Sequence, residues 1–215
     1  MKKLTELMDK YGSDKGTVFG GGHSYSEYYN DIFIKYKTPK ILEIGILNGA
    51  DVSAISDFYN GECEIYGIDI DQNCRRFENT IKNFHFIMLD QSKRDELADF
   101  SNSGIAKEGF DIIIDDGSHN WFDQMLTLSY LNKCVKNNGI YILEDLHTSM
   151  PWFYDGRFGD RTKTKTTLDC ILNRVPFELL TTEENAAWLS NMKDVQIITH
   201  KNKMNEIATT SIITF

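Results

Sequence analysis

Six ionisable residues close together in two stretches are the part of this sequence best suited to chemistry. Asp115, Asp116 and His119 lie in FDIIIDDGSHNW (Phe110 to Trp121), and Glu144, Asp145 and His147 in IYILEDLH (Ile140 to His147). Each stretch is an apolar, β-branched run that stops at two adjacent acids, with a histidine shortly after. Charge at the tip of a buried strand is costly unless something uses it. If the two runs are neighbouring strands, Asp116, Glu144 and Asp145 come within a few ångströms of one another. Three carboxylates that close repel unless a divalent cation neutralises them, and an all-oxygen set suits Mg²⁺. Such an ion lowers the pKa of a bound hydroxyl, and His119, at the start of the following helix, is placed to take the proton near neutral pH. His147 is expected to support that site or touch an acceptor.

Residues with these roles need elements that hold them at one edge. From Lys40 onward the chain alternates strand-like runs, KILEIG, EIYGID, FHFIML, FDIIID and GIYILE, with helical stretches near 50–59, 72–83, 92–100 and 120–136. Such alternation implies right-handed βαβ crossovers and a parallel sheet covered on both faces. A helical region over about 165–192, interrupted at Pro176, precedes two β-rich runs, VQIITH and ATTSIITF, around the polar turn KNKMNE. The expected fold is α/β: a Rossmann-like, doubly wound, mostly parallel seven-stranded sheet with a C-terminal antiparallel hairpin. We expect one domain over 1–215, with 1–38 as an N-terminal cap and 39–215 as the core. In the cap, Leu4, Leu7 and Met8 mark a short amphipathic helix, the glycines at 20–22 a loop, and Ser26 the entry to a second helix. Ligands of open α/β sheets sit beyond the carboxyl ends of the strands, so the two acid-rich tips should face one crevice.

The first strands offer a cofactor cradle at the same edge. ILEIGILNG (Ile41 to Gly49) runs from strand to glycine turn to helix; Gly45 and Gly49 permit the turn, and Glu43 is a candidate acceptor. Asp69 ends the second strand, where an acid typically binds ribose hydroxyls. Asp90 and Gln91 end the third, placed to reach a base. Position 47 is Leu, so the dinucleotide fingerprint G-x-G-x-x-G is broken.

The pattern Glu43-x-Gly45-x-x-x-Gly49, followed by acids after strands two and three, resembles the class I S-adenosylmethionine-dependent methyltransferases over roughly residues 38–215. The terminal hairpin is similar to theirs. The D-G-S-H spacing followed by E-D resembles a narrower group, the metal-dependent sugar O-methyltransferases of the mycinamicin and tylosin tailoring type. That resemblance implies S-adenosyl-L-methionine and Mg²⁺ as cofactors, with Asp116, Glu144 and Asp145 as metal ligands and His119 as general base. Asp115 is assigned to the cofactor. The amino-terminal YGSDKG and HSYSEYY look like the leader of bacterial members that act on surface glycans. The likeness implies that Lys15 and Tyr25 close over the cofactor, with His23, His147 and Trp152 toward the acceptor. Trp121, Trp152, Phe153 and Tyr154 suit internal packing as well as a sugar platform.

Composition narrows the partners. A net charge of −9 without a basic run argues against nucleic acid and for a small-molecule or glycan acceptor. No apolar run approaches the roughly 20 residues of a membrane span. Cys63, Cys74, Cys134 and Cys170 show no CxxC spacing, and no apolar leader precedes them, so reduced thiols in a cytoplasm are expected. An NAD-dependent sugar oxidoreductase and a non-catalytic S-adenosylmethionine-binding protein stay open as alternatives. The acceptor and the oligomeric state, a homo-oligomer included, also stay open.

Overall fold

The structure, a computed structural model, describes residues 3–18, 22–153, 156–202 and 205–215. Its strands form one seven-stranded sheet, ordered third, second, first, fourth, fifth, seventh, sixth in chain numbering. This is the mostly parallel, doubly wound arrangement expected from the alternating pattern. The chain divides into two compact units, Met1–Met88 with Thr199–Ala208, and Leu89–Ile198 with Thr209–Phe215.

The first unit opens with α1 (Leu4–Tyr11), whose Leu4, Leu7 and Met8 are buried and whose C-cap, Gly12, takes the left-handed conformation that ends a helix. α2 (Ser26–Phe33) follows, then β1 (Lys40–Ile44), α3 (Ala50–Phe58), β2 (Glu64–Asp69) and β3 (Phe84–Met88). β1 pairs in parallel with β2, and β2 with β3. Every residue of β1 is buried, as a continuous apolar run in a two-sided sheet requires. Between β2 and β3 the expected helix over 72–83 is instead a 3₁₀ segment, Gln72–Asn79. Only Cys74 of that segment is buried, so no apolar stripe supports a longer α-helix.

The second unit carries α4 (Arg94–Ser101), α5 (Gly104–Lys107), β4 (Phe110–Asp115), α6 (Trp121–Leu131) and β5 (Val135–Leu143). α6 stops short of the expected residue 136 because the Asn132 side chain donates to the carbonyls of Leu128 and Ser129 at 3.0 and 2.8 Å. β5 starts earlier than expected and pairs in parallel with β4, with a register shift between Phe110 and Ile112. The region expected to be one broken helix is two, α7 (Thr167–Asn173) and α8 (Thr182–Asn191), each begun by a capping box, Thr166 with Asp169 and Thr181 with Glu184. Pro176 lies between them. The chain ends in β6 (Asp194–Lys201) and β7 (Ile207–Thr214), and β7 runs antiparallel to β5. Gly20, Gly21, Tyr154 and two residues of the turn, 203 and 204, lie outside the described residues. The four cysteines are free and buried, and no described helix is long and apolar enough to cross a membrane.

Candidate active site

In the first unit, the chain leaves β1 through Gly45, at φ 90°, whose N–H donates to the Ile68 carbonyl at 2.9 Å. The turn is then held from β2: Asp69 Oδ2 accepts from the N–H groups of Ile46 at 2.8 Å and Leu47 at 3.1 Å, and Oδ1 from that of Asp71 at 2.8 Å. Burial works to raise the Asp69 pKa, but these donors outweigh it and hold the carboxyl below its ordinary value. A carboxylate has about four lone-pair positions. Three N–H groups take three of them and the Cys74 thiol also hydrogen-bonds the carboxylate, so a ribose hydroxyl would compete with that thiol. Gly49, at φ 75°, caps α3, and a Cβ there would stand 2.6 Å from the Phe77 ring, so the position admits no side chain. Glu43 is fully buried within β1 and is not offered to a ligand at the surface.

The amino-terminal residues are tied to this turn. Lys15, 1% exposed, reaches Asp51 Oδ2 at 2.7 Å in the first turn of α3, and the Ser13 hydroxyl donates to Asp51 Oδ1. Asp51 and Ser13 carried no separate sequence signal; only the fold pairs them with Lys15. Tyr25 is a packing residue, correcting the expectation that it closes on the cofactor. It is fully buried, stacked on His23 with ring centroids 5.2 Å apart and set edge-on to His200 at 5.9 Å. The His23 carbonyl is hydrogen-bonded by His200 Nε2.

In the second unit, Asp115 ends β4 in a dry setting. It is 1% exposed, accepts from the Tyr141 hydroxyl at 2.8 Å and from Gln91 Nε2 at 3.2 Å, and burial pushes its pKa up to about 6 against those donors. Gln91 also donates to Thr127 at 3.1 Å and accepts from the Ser118 N–H at 2.7 Å. Two expectations change as a result: Gln91 and Asp115 face inward, because each supplies the hydrogen bond the other needs when buried. Tyr141 and Thr127 escaped the sequence reading, since a hydroxyl inside an apolar run looks like any other core position. Asp90 closes its own turn, accepting from the Ser92 N–H at 2.9 Å and hydroxyl at 2.7 Å.

Asp116, His119 and Asp145 converge. His119 Nε2 stands 3.5 Å from Asp145 Oδ2 and 3.9 Å from Asp116 Oδ1, and one ligand atom from each residue lies within 4.8 Å of the others. All three side chains are partly exposed. His119 and Asp145 both take positive φ, 58° and 54°, a cost that tends to gather where a site dictates side-chain direction. His119 was expected at the start of a helix. It precedes one instead, since Asn120 caps α6 by accepting from the Phe122 N–H at 2.9 Å. Glu144 is also displaced from its expected role: among the described residues no cluster that tight includes it. It is buried beside Asp145, and the left-handed backbone at Asp145 sends that residue rather than Glu144 toward His119. His147 Nδ1 lies 3.7 Å from Asp145 Oδ1, with Phe153 edge-on to its ring at 4.7 Å. Trp152 is 62% exposed. Two carboxylates suit Mg²⁺, which often takes one or two from protein and water for the rest, and the adjacent imidazole suits proton transfer.

No family model matches the chain. It is 30% identical over 169 residues to the 8-demethyl-8-α-L-rhamnosyl tetracenomycin-C 2′-O-methyltransferase of Streptomyces olivaceus, covering 75% of this chain and 42% of that protein. It is 29% identical over 178 residues to the demethylmacrocin O-methyltransferase of Streptomyces fradiae, covering 78% of this chain and 42% of that one. The chain thus spans less than half the length of these curated relatives. Among solved structures, the MycE methyltransferase of the mycinamycin biosynthetic pathway, in complex with Mg and SAH, superposes with a TM-score of 0.74 at 22% identity. That match covers 99% of this chain and 54% of MycE, a likeness of fold.

Proposed function

We propose that this relative of the antibiotic-sugar O-methyltransferases, built on the class I methyltransferase fold, transfers a methyl group from S-adenosylmethionine to a sugar hydroxyl with the help of a divalent cation. The observation that carries the reading is the convergence of Asp116, His119 and Asp145 on two left-handed backbone positions. Asp116 and Asp145 would hold the ion, with Glu144 behind them. The Gly45–Gly49 turn and Asp69 would hold the adenosyl group. Bound there, Mg²⁺ supplies Lewis acidity at the acceptor hydroxyl, and S-adenosylmethionine supplies the methyl group.

The chain's own residues do the rest. His119 Nε2 takes the hydroxyl proton as the oxygen attacks, and Asp145, 3.5 Å away, steadies the imidazolium that results. His147 and Trp152 line the acceptor side, the acceptor being a glycan, a nucleotide sugar or a glycosylated small molecule. We take residues 1–215 as one catalytic domain with 1–38 as its cap, working in the cytoplasm without a nucleic-acid partner. An NAD-dependent reading meets a side chain at position 47 where the dinucleotide turn needs glycine.

The test is methyl transfer from labelled S-adenosylmethionine to a panel of sugars, nucleotide sugars and glycosylated metabolites, with and without chelator. Transfer that stops in chelator and returns with Mg²⁺ is the expected result. Full turnover in excess chelator would remove the metal from the proposal, and absence of S-adenosylhomocysteine binding in calorimetry would remove the methyltransferase reading itself.

A further inference from the structure

Asp145 owes its direction to a left-handed backbone, φ 54° and ψ 35°, and side chains hold the peptide groups on both sides of it. The Glu144 carbonyl, on the peptide before Asp145, accepts from Gln124 Nε2 at 3.0 Å. The Asp145 carbonyl, on the peptide after it, accepts from the Thr148 hydroxyl at 3.0 Å and from the Thr148 N–H at 3.1 Å. Each peptide is planar, so φ and ψ are the rotations of these two planes about the Asp145 Cα, and fixing both carbonyls fixes the conformation.

Thr148 does more than close that turn. Its hydroxyl also stands 3.4 Å from the carbonyl of His119, the other left-handed residue of the site, 29 positions away in the chain. Thr148 is 2% exposed, so its hydroxyl finds partners in the fold rather than in water. The 3₁₀ turn that carries it, Leu146–Ser149, is fastened just beyond it: the Ser149 hydroxyl accepts from the Leu168 N–H of α7 at 3.3 Å, and the Ser149 carbonyl from Arg161 Nη2. A threonine bonding back three residues is common in helical turns and carries no functional meaning alone. The same hydroxyl reaching a second carbonyl, on the loop of the general base, does. We infer that Thr148 is a positioning residue for the transfer. Its hydroxyl ties the backbone of His119 to that of Asp145 and so sets the spacing of base and metal ligand, whose side chains stand 3.5 Å apart. This rests on the metal-dependent methyltransferase reading and adds to it a residue that carries no charge and touches neither ion nor acceptor.

The experiment compares wild type with Thr148→Val, which keeps the shape and loses the hydroxyl, and Thr148→Ser, which keeps the hydroxyl. The probes, on the full chain, are Mn²⁺, followed by electron spin resonance, and S-adenosylhomocysteine, followed by calorimetry. Thr148→Val should weaken Mn²⁺ binding by about tenfold or more, the scale of losing a hydrogen-bond partner behind a metal ligand, with S-adenosylhomocysteine affinity unchanged. Thr148→Ser should bind Mn²⁺ as wild type does. Residue 148 still donates its N–H to the Asp145 carbonyl in both variants, so both should fold. Unchanged Mn²⁺ affinity in Thr148→Val would overturn the inference and leave the methyltransferase reading standing. A tenfold loss in Thr148→Ser would overturn it as well, whatever Thr148→Val does, because the hydroxyl would then not be the group that matters. If wild type binds S-adenosylhomocysteine but no Mn²⁺, the metal leaves the proposed function and this inference goes with it.

Discussion

Asp69 and Asp115 end strands that look nearly alike, EIYGID and FDIIID, yet the two carboxylates live in opposite settings. Asp69 accepts backbone N–H groups from the turn above β1 and stays readily ionised. Asp115 is sealed among Tyr141 and Gln91, and its pKa is pushed up to about 6. What separates them is the donor supply. Backbone donors at a glycine turn keep an acid charged and fix a loop, whereas side-chain donors in a dry interior make an acid part of the core. The residue after each acid then takes over the outward role: Ile70 presents apolar surface at the first tip, and Asp116 turns toward His119 and Asp145 at the second. Under the proposed function, one tip serves recognition and the other proton transfer.

The largest effect should come from the second tip. Replacing His119 with Ala should cut kcat by about 10²–10⁴-fold, as removal of a general base commonly does, with S-adenosylhomocysteine affinity nearly unchanged. Near-normal turnover in that variant, with turnover lost in His147→Ala, would move the base to His147, the other imidazole beside Asp145, and break the division of labour at its centre.

Asp115→Ala should act on stability instead. It strands the fully buried Tyr141 hydroxyl and removes one partner of Gln91, at a cost of roughly 2–4 kcal/mol for two buried groups left unsatisfied. Asp115→Asn should cost less, since its oxygen still accepts from Tyr141, but its amide meets the Gln91 amide donor. Gln91 cannot simply turn over, because its oxygen accepts the Ser118 N–H. Denaturant unfolding of both variants ranks them, and equal stability of Asp115→Ala and wild type would make Asp115 a ligand-facing acid like Asp69.

Much of this contrast was legible in the sequence, and the illegible part has a physical reason. Continuous apolar runs identify β1, β4 and β5, because a strand covered on both faces cannot alternate. The acids at their ends mark the ligand edge for the same reason that buried charge is costly. Which way each acid points is not encoded locally. Gln91 and Asp115 meet across 24 positions, and Tyr141 reaches Asp115 across 26, so only the assembled sheet turns them inward. Asp145 leaves its strand at φ 54°, which no periodicity announces, and that departure puts it rather than Glu144 beside His119. Signals for helix starts were present at Thr166 and Thr181, each with an acid three residues on, and they divide a region that composition alone blends into one.

The smallest effect tests the first tip by its pH dependence. The folded-state pKa of Asp69 lies below its ordinary value, so the ionised carboxylate is the form that the folded state favours. The sign follows from linkage: a depressed acid contributes stability that is fully present above its unfolded value, near 3.9 for aspartate, and lost as pH falls through its lower folded value. Asp69→Asn removes that titration and also sets an amide donor against backbone donors, since Ile46, Leu47 and Asp71 all present N–H groups to the same side chain. The variant should therefore be less stable than wild type at neutral pH, with the gap narrowing as the acid range is entered. Thermal unfolding of the two proteins from neutral pH downward measures the gap directly. A gap that stays constant or widens toward acid would mean that Asp69 gains nothing from its charge in the fold, and the electrostatic difference between the two tips would then rest on Asp115 alone.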